Sequence, residues 1–280
     1  MAWTNSFVRA TGIEVFDIWD LSLLINKLHE NFAKKQCYKV CGREMNNKIK
    51  AIFFNFGGTL DSDGITYKDR FYPFYLDMGI NVSQEEFGHA FYNSDDSILT
   101  EKLDDLSFRE TLRLQVGRVL QGLKVDNKFL QYRIADRFLQ NSLSKLEENR
   151  KVLECLKKNY LLGIISNFFG NLPEIIREVG MEKLFDVIID SSRVGYFKPD
   201  PKIFYEALKP LKLSPHQAIY VGESLNRDMA GARGVGMPHI WLKNQKSASQ
   251  SLCCPEDKTI NQLSDLMELI PEIKCEVENV

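Results

Sequence analysis

The sequence predicts an α/β fold in which helices flank a doubly wound, mostly parallel sheet. Short continuous apolar runs, typical of buried parallel strands, alternate with segments of helical spacing. A long helical block interrupts this alternation after the first run. Strand, helix and strand in this order require right-handed crossovers, and such sheets place ligands at the carboxyl ends of their strands. The residues that follow each apolar run are therefore the candidates for a functional site.

The apolar runs predict four strands and a further candidate, in chain order Ile49–Phe56, Leu161–Ser166, Val187–Asp190, Ala218–Val221 and His239–Leu242. Helical spacing predicts the connecting helices Asn149–Lys158, Leu172–Val179, Pro201–Leu211 and Asn226–Gly234. Asp200 before Pro201 is typical of an N-cap residue and the first helical turn, so we expect this pair to be structural.

Residues 65–145 break the alternation and contain no convincing strand. Four segments have helical spacing, namely Tyr67–Met78, Ser83–Asn93, Ser107–Leu123 and Asn127–Ser144. Ser83 followed by Glu86 is the pattern of a capping box at a helix start. We therefore predict an all-helical cap domain over residues 65–145, inserted into a core of residues 49–64 and 146–270. Its aromatic residues are expected to form its own core, among them Phe71, Phe74 and Tyr75.

The two ends of the chain are predicted to lie outside these domains. Residues 1–44 are an N-terminal extension in which Ile13–Phe32 has the spacing of an amphipathic helix. Docking on the sheet, self-association and a loosely held segment remain open for it, and Met45 is an alternative start of the protein. Residues 271–280 are predicted to be a C-terminal tail.

Composition excludes several classes of protein. The 280 residues carry 36 basic and 38 acidic side chains, a formal net charge of −2, so we expect neither nucleic acid nor a membrane surface as a partner. No apolar stretch approaches the roughly 18 residues of a membrane span, and acidic residues interrupt any signal-like segment near the start. We expect a cytoplasmic protein; the sequence does not indicate an oligomeric state.

The cysteines do not form a metal-binding pattern. Cys37 and Cys41 have a metal-like spacing, but no second pair accompanies them and the four histidines are scattered. We therefore expect free thiols rather than a zinc site.

Four polar clusters follow the predicted strands. Gly57 and Gly58 allow a ligand to approach the backbone, and Ser166 and Asn167 offer neutral donors to phosphate oxygens. Lys198 supplies a positive charge. Two acids five residues apart, Glu223 and Asp228, are hard oxygen ligands of the kind that Mg²⁺ prefers. Together the clusters predict a site for phosphate and a metal ion.

These clusters, in this order and each after a strand, resemble those of the haloacid dehalogenase superfamily of hydrolases, most of which are phosphatases. The resemblance covers residues 49–64 and 146 to about 270, and residues 65–145 resemble the helical cap of these enzymes. It implies a phosphatase that acts on a small phosphorylated metabolite and depends on Mg²⁺. Cap residues select the substrate, so the resemblance does not identify it.

The resemblance also assigns roles to single residues. It implies that Thr59 and Ser166 are phosphate-binding hydroxyls and that Lys198 steadies a phosphoaspartyl intermediate. Glu223 and Asp228 match the acids that bind Mg²⁺, although the first is normally aspartate. Asn55 stands at the position of the nucleophilic aspartate, and Gly57 at that of a general acid/base aspartate.

The two departures, Asn55 and Gly57, predict impaired catalysis. An amide is not a competent nucleophile, and loss of a covalent nucleophile typically lowers turnover by on the order of 10⁴-fold or more. Glycine can neither protonate a leaving group nor activate water. Mg²⁺ is expected to bind more weakly, with the Asn55 oxygen and the Gly57 carbonyl as remaining ligands beside the two acids.

Two classes of function therefore remain open, an impaired phosphatase and a pseudoenzyme that binds phosphate esters or a protein partner. The sequence does not tell whether the asparagine is natural or replaces an aspartate. Asp61 and Asp63 lie in a turn that enters the cap, and we do not expect them to substitute for the nucleophile. Hydrolysis of a carbon–halogen bond requires the same missing aspartate and ranks last.

Overall fold

The computed structural model describes residues 49–99, 101, 103–244 and 258–270. Within these residues, six strands form one parallel sheet in the order β3-β2-β1-β4-β5-β6. In chain order they are β1 (Ala51–Phe54), β2 (Leu161–Ser166), β3 (Val187–Asp190), β4 (Ala218–Gly222), β5 (His239–Leu242) and β6 (Lys258–Ile260). The predicted α/β fold is confirmed.

Helices connect the strands. The four between β1 and β2 are α1 (Tyr67–Asp77), α2 (Gln84–Ile98), α3 (Phe108–Gly122) and α4 (Lys128–Lys157). The later helices are α5 (Leu172–Glu178), α6 (Ser191–Val194), α7 (Pro201–Leu211), α8 (Ala230–Gly234) and α9 (Leu266–Leu269). Tight turns at Phe56–Leu60 and Leu225–Met229 follow the central strands β1 and β4.

Both faces of the sheet are buried, as the apolar character of the strands predicts. Alternate side chains of β1 point to opposite faces, with Ile52 and Phe54 in one core cluster and Phe53 in the other. Helices α4 and α5 cover the first face, and α7 and α8 cover the second. In β1, Phe54 pairs with Ile164 on one side and Val221 on the other, so the three strands end at the same level.

Several details of the prediction are confirmed. The capping box of Ser83 and Glu86 is present, and the Asp200 side chain accepts a hydrogen bond from the backbone N–H of Lys202 at the start of α7. Phe71 and Tyr75 are buried in the helical block.

Other details are wrong. The predicted helices Asn127–Ser144 and Asn149–Lys158 are one helix, α4, because no glycine or proline interrupts it and its buried positions continue along one face. The predicted boundary at residues 145/146 therefore falls inside a helix. β1 is confined to Ala51–Phe54 instead of Ile49–Phe56, and β6 was not predicted because its three residues carry no strand pattern.

The expectation of free thiols is wrong at Cys155, which is buried and disulfide-bonded. Sequence spacing alone does not show which cysteines a fold brings together. The predicted N-terminal helix and C-terminal tail lie outside the described residues. No helix among the residues that the structure describes is long and apolar enough to cross a membrane.

Candidate functional site at the strand ends

Asn55 lies at the centre of the polar residues that follow the strands. Its backbone continues β1 and donates to Val221 of β4, and its side chain is 7% exposed. The Asn55 Oδ1 atom accepts from Ser166 Oγ at 2.8 Å and from Lys198 Nζ at 2.9 Å. The Asn55 Nδ2 atom donates to the Gly57 carbonyl at 2.9 Å and to Glu223 Oε2 at 2.8 Å. The four partners come from the turn after β1, the end of β2, the segment after α6 and the end of β4.

These partners fix the orientation of the Asn55 amide. A lysine ammonium can only donate, whereas a backbone carbonyl can only accept. Rotating the amide by 180° would point its N–H₂ group at Lys198 and its oxygen at the Gly57 carbonyl, with the loss of both bonds. The amide nitrogen therefore faces Glu223 and Gly57, and the amide oxygen faces Ser166 and Lys198.

Lys198 is buried and uses its three N–H donors inside the protein. They contact Asn55 Oδ1 at 2.9 Å, the Tyr220 hydroxyl at 2.8 Å and Asp228 Oδ1 at 2.6 Å. Burial lowers the pKa of Lys198, although the nearby Asp228 and Glu223 carboxylates act in the opposite direction. The Asn167 side chain braces the lysine backbone, since it donates to the Lys198 carbonyl and accepts from the Lys198 N–H.

The two acids differ in their protonation. Burial would raise the pKa of Asp228, but the ammonium of Lys198 and the backbone N–H of Ser224 outweigh it and hold the pKa below its usual range. Burial and the neighbouring Asp228 carboxylate raise the pKa of Glu223 to about 7. Glu223 therefore loses and gains its proton near neutral pH, while Asp228 stays ionised.

The arrangement does not suit Mg²⁺. Glu223 Oε2 and the Gly57 carbonyl accept from the N–H₂ group of Asn55, so these two oxygens face a hydrogen-bond donor. Asp228 is already bound by Lys198 and by the backbone N–H groups of Glu223 and Ser224. Among the described residues, no group of three or more His, Cys, Asp or Glu side chains could hold a metal ion. The amide N–H₂ group instead takes the acceptors that a cation would use.

The turn after β1 brings its own residues into this network. Gly58 has a φ of 89°, and a Cβ there would lie 3.0 Å from Glu223 Cδ, so only glycine lets the turn approach that acid. Thr59 Oγ1 donates to Glu223 Oε2 at 2.7 Å. A Cβ at Gly57 would lie 2.9 Å from Cε1 of Tyr67, so this position has no room for a side chain.

The two aspartates after the turn are engaged elsewhere. Asp61 is fully buried, where it forms a 2.8 Å ion pair with Arg70 and accepts from Ser142 Oγ at 2.9 Å. Asp63 pairs with Lys145 at 2.7 Å. These contacts support the expectation that neither aspartate substitutes for Asn55.

A cavity of about 120 Å³ opens between this network and the helical block. Its core wall includes Asn55, Ser166 and Lys198, and its helical wall includes residues of α1, α2 and α3. The charged residues that line it are Lys68, Lys198, Arg227, Asp95 and Glu223. The cavity therefore joins the strand ends to the cap, and three cations face it against two acids.

The sequence model of haloacid dehalogenase-like hydrolases matches residues 73–242, more than half of the chain. The chain belongs to this family. Curated relatives agree, among them a haloacid dehalogenase-like hydrolase domain-containing protein 3 from Bos taurus, 41% identical over 115 residues, which are 40% of this chain and 46% of the relative.

Two phosphatases are also similar to this family member. A glyceraldehyde 3-phosphate phosphatase from Pyrococcus furiosus is 38% identical over 126 residues, 43% of this chain and 52% of the relative. One from Methanothermobacter thermautotrophicus is 27% identical over 212 residues, 72% of this chain and 89% of the relative. The chain spans about half the length of the Bos taurus and Pyrococcus furiosus relatives.

Solved structures of dehalogenases share the fold. A dehalogenase in an intermediate complex superimposes with a TM-score of 0.56 at 20% identity, over 82% of this chain and 99% of the other. The L-2-haloacid dehalogenase from Xanthobacter autotrophicus with chloropropionic acid covalently bound gives 0.51 at 15% identity, over 81% and 100%.

The sequence predicted most of the strand-end residues of this site, but it did not predict every residue of the network and the cavity wall. The structure brings Asn55, Gly57, Thr59, Ser166, Asn167, Lys198, Glu223 and Asp228 together. Tyr220 was missed; its place in an otherwise apolar strand was the available signal. Asp95 and Gln115 gave no signal, because only the packing of the helices over the sheet brings them to the cavity. Arg227 was missed although it directly precedes Asp228 in the turn after β4.

Proposed function

We propose that this protein binds a small phosphorylated metabolite in the cavity between the strand ends and the helical cap, and that it does not hydrolyse the ester efficiently. The observation that carries the proposal is the Asn55 amide, held by four hydrogen bonds at the position of the family's nucleophile. Family membership and the similar phosphatases support a phosphorylated ligand.

The charges around the cavity favour an anion. Lys68, Lys198 and Arg227 line it, and Asp228 pairs with Lys198. The two acids on the wall, Asp95 and Glu223, each have a pKa raised to about 7 and carry only part of their charge at neutral pH. A carboxylate at position 55 would repel a phosphate ~4 Å away by about 4 kcal/mol at an effective dielectric constant of 20. The neutral amide removes this repulsion.

The same residues argue against turnover. A phosphoaspartyl intermediate needs a carboxylate at position 55, and the amide oxygen there is occupied by Ser166 and Lys198. Position 57 has no side chain that could act as an acid, and Asp61 is buried against Arg70. Asp63 is likewise paired with Lys145, so neither aspartate of the turn supplies either role.

Binding is proposed to be independent of Mg²⁺. In this chain the N–H₂ group of Asn55 satisfies the Gly57 carbonyl and Glu223 Oε2, so the anion does not need a metal ion to neutralise these oxygens. Hydrogen-bond donors and cations on the cavity wall would hold the phosphate instead.

One ligand tests both halves of the proposal. Titration of the full chain with n-propyl phosphate in a calorimeter measures binding, and phosphorus NMR of the same sample measures release of inorganic phosphate. We expect binding without release by the wild type, and slow release by Asn55→Asp in the presence of Mg²⁺. Efficient release of inorganic phosphate by the wild type would contradict the proposed loss of hydrolysis. Absence of a heat of binding at millimolar n-propyl phosphate would contradict the proposed binding.

A further inference from the structure

Gln115 is a buried amide with one unused acceptor. The side chain comes from α3 and is 2% exposed, and it lines the cavity. Its Nε2 atom donates to Asp95 Oδ1 at 2.6 Å. The Oε1 atom is buried and has no hydrogen-bond partner. Buried polar atoms are rarely left in this state, so the unpaired oxygen of a residue that lines a cavity is a candidate acceptor for a ligand hydroxyl.

Asp95 on α2 provides a second acceptor beside Gln115. Both residues line the cavity on its helical side, while Ser166 and Lys198 line it on the core side. Burial raises the pKa of Asp95 to about 7, although Gln115 and Arg227 act to lower it. The cavity therefore has a wall with donors and cations at the core and a wall with two acceptors at the cap.

We infer that Gln115 and Asp95 select a ligand with a hydroxyl group that donates to the Gln115 carbonyl oxygen. This inference rests on the proposed function and identifies its ligand class as a hydroxylated phosphate monoester, such as a phosphorylated polyol. The phosphate lies toward Lys198 and the hydroxyl toward the cap. Gln115 then acts as a specificity-determining residue.

A neutral hydroxyl fits this wall better than an ammonium group. Three cations already line the cavity, Lys68, Lys198 and Arg227, and would repel a further positive charge. A hydroxyl can donate to Gln115 Oε1 and also accept, which suits a cavity that Arg227 lines as well. The volume of about 120 Å³ favours a ligand of a few carbon atoms.

Two esters of the same length test the inference. Glycerol 1-phosphate and n-propyl phosphate differ only in hydroxyl groups, and calorimetry on the full chain gives both dissociation constants. We expect the wild type to bind glycerol 1-phosphate about tenfold more tightly, the usual worth of one well-placed hydrogen bond. Gln115→Leu should abolish this preference and leave the affinity for n-propyl phosphate within about twofold.

Control variants separate selectivity from folding. Gln131→Leu changes a cap glutamine that lies outside this cavity and donates to the Arg113 carbonyl, and it should keep the tenfold preference. If Gln115→Leu does not fold, Asp95→Asn replaces the other acceptor by an amide of the same shape and should reduce the preference by several fold.

The outcomes distinguish the inference from the proposed function. Equal affinities of the wild type for the two esters overturn the inference while the proposed function stands. A preference that survives in Gln115→Leu also overturns it, because another group then recognises the hydroxyls. Failure of the wild type to bind either ester overturns both.

Discussion

The Nδ2 atom of Asn55 donates a 2.8 Å hydrogen bond to Oε2 of Glu223. This contact joins the end of β1 to the turn after β4, at the two positions where the family resemblance predicts metal ligands. The N–H donor of Asn55 satisfies the Glu223 oxygen that would otherwise be available to a cation. The asparagine is therefore an integral part of the hydrogen-bond network at the strand ends.

Asn55→Asp should make the protein less stable without metal and sensitive to Mg²⁺. The variant removes the donor to Glu223 and Gly57, which costs about 1–3 kcal/mol of unfolding free energy, and adds a carboxylate beside two others. Thermal unfolding in EDTA should show a lower Tm, and Mg²⁺ should restore part of it by binding the folded state.

The matched control for this variant is Asn149→Asp. Asn149 is also buried, and its Nδ2 donates to the Leu60 carbonyl at 2.9 Å without facing Glu223 or Asp228. It should lose stability that Mg²⁺ does not restore. An Mg²⁺ response of the wild type as large as that of Asn55→Asp would contradict the role assigned to the amide.

Gly57→Ala should destabilise the fold by about 1–3 kcal/mol, since overpacking costs this much in a tight site. Its Cβ would approach Tyr67, whose ring is held 4.8 Å from the ring of Phe138. Chemical denaturation measures the change. Gly88→Ala is the control, because a Cβ there meets nothing within 4 Å and helix α2 should gain about 0.5–1 kcal/mol. Equal changes in unfolding free energy for the two variants would contradict this explanation.

Asp61→Asn should cost about 3–5 kcal/mol of unfolding free energy, because it leaves the Arg70 guanidinium buried without its counter-charge. Asp136→Asn is the control, because Asp136 pairs with Arg109 and Arg113 at the surface. This variant should cost only about 0–1 kcal/mol of unfolding free energy. Urea titrations of both variants check the difference. A stable Asp61→Asn variant would show that this aspartate is free for another role.

The Asp95 carboxyl makes stability depend on pH. Burial raises its pKa to about 7 in the folded protein, so the folded state binds the proton more tightly than the unfolded chain does. Its contribution to stability is therefore present at low pH and is lost as pH rises from the ordinary carboxyl value of about 4 through about 7. Asp95→Asn should match the wild type at pH 4 and have a higher Tm at pH 8.

The exposed neighbour Asp96 provides the control for this pH dependence. Asp96→Asn should change the Tm by a small amount that varies little with pH, because the side chain lies in solvent and its charge is the smallest of the causes that shift the pKa of Asp95. If the curves of Asp95→Asn and wild type run parallel from pH 4 to pH 8, burial of Asp95 does not have the effect described.

Local patterns predicted the sheet and the strand-end residues because parallel strands end at one edge. Phe54, Ile164 and Val221 share a register, so Asn55, Ser166 and Glu223 had to meet. The opposing wall was not predictable in this way. Gln115 and Asp95 lie on different helices, and their meeting depends on how α2 and α3 pack, which no spacing in either helix encodes.

The orientation of the Asn55 amide could not be predicted from the sequence either. The residue type shows that position 55 carries an amide, but it does not show whether the amide oxygen or the amide nitrogen faces Glu223. Lys198 decides the orientation, because its ammonium needs the amide oxygen. The contact between Lys198 and Asn55 forms only when distant parts of the chain come together in the fold, so no local pattern predicts it.

Calorimetric titration of the wild type with inorganic phosphate, in EDTA and in millimolar Mg²⁺, shows whether anion binding needs a metal ion. We expect the same dissociation constant in both buffers, since the Asn55 amide and the cavity cations act without a metal ion. Binding that occurs in Mg²⁺ and disappears in EDTA would contradict this expectation.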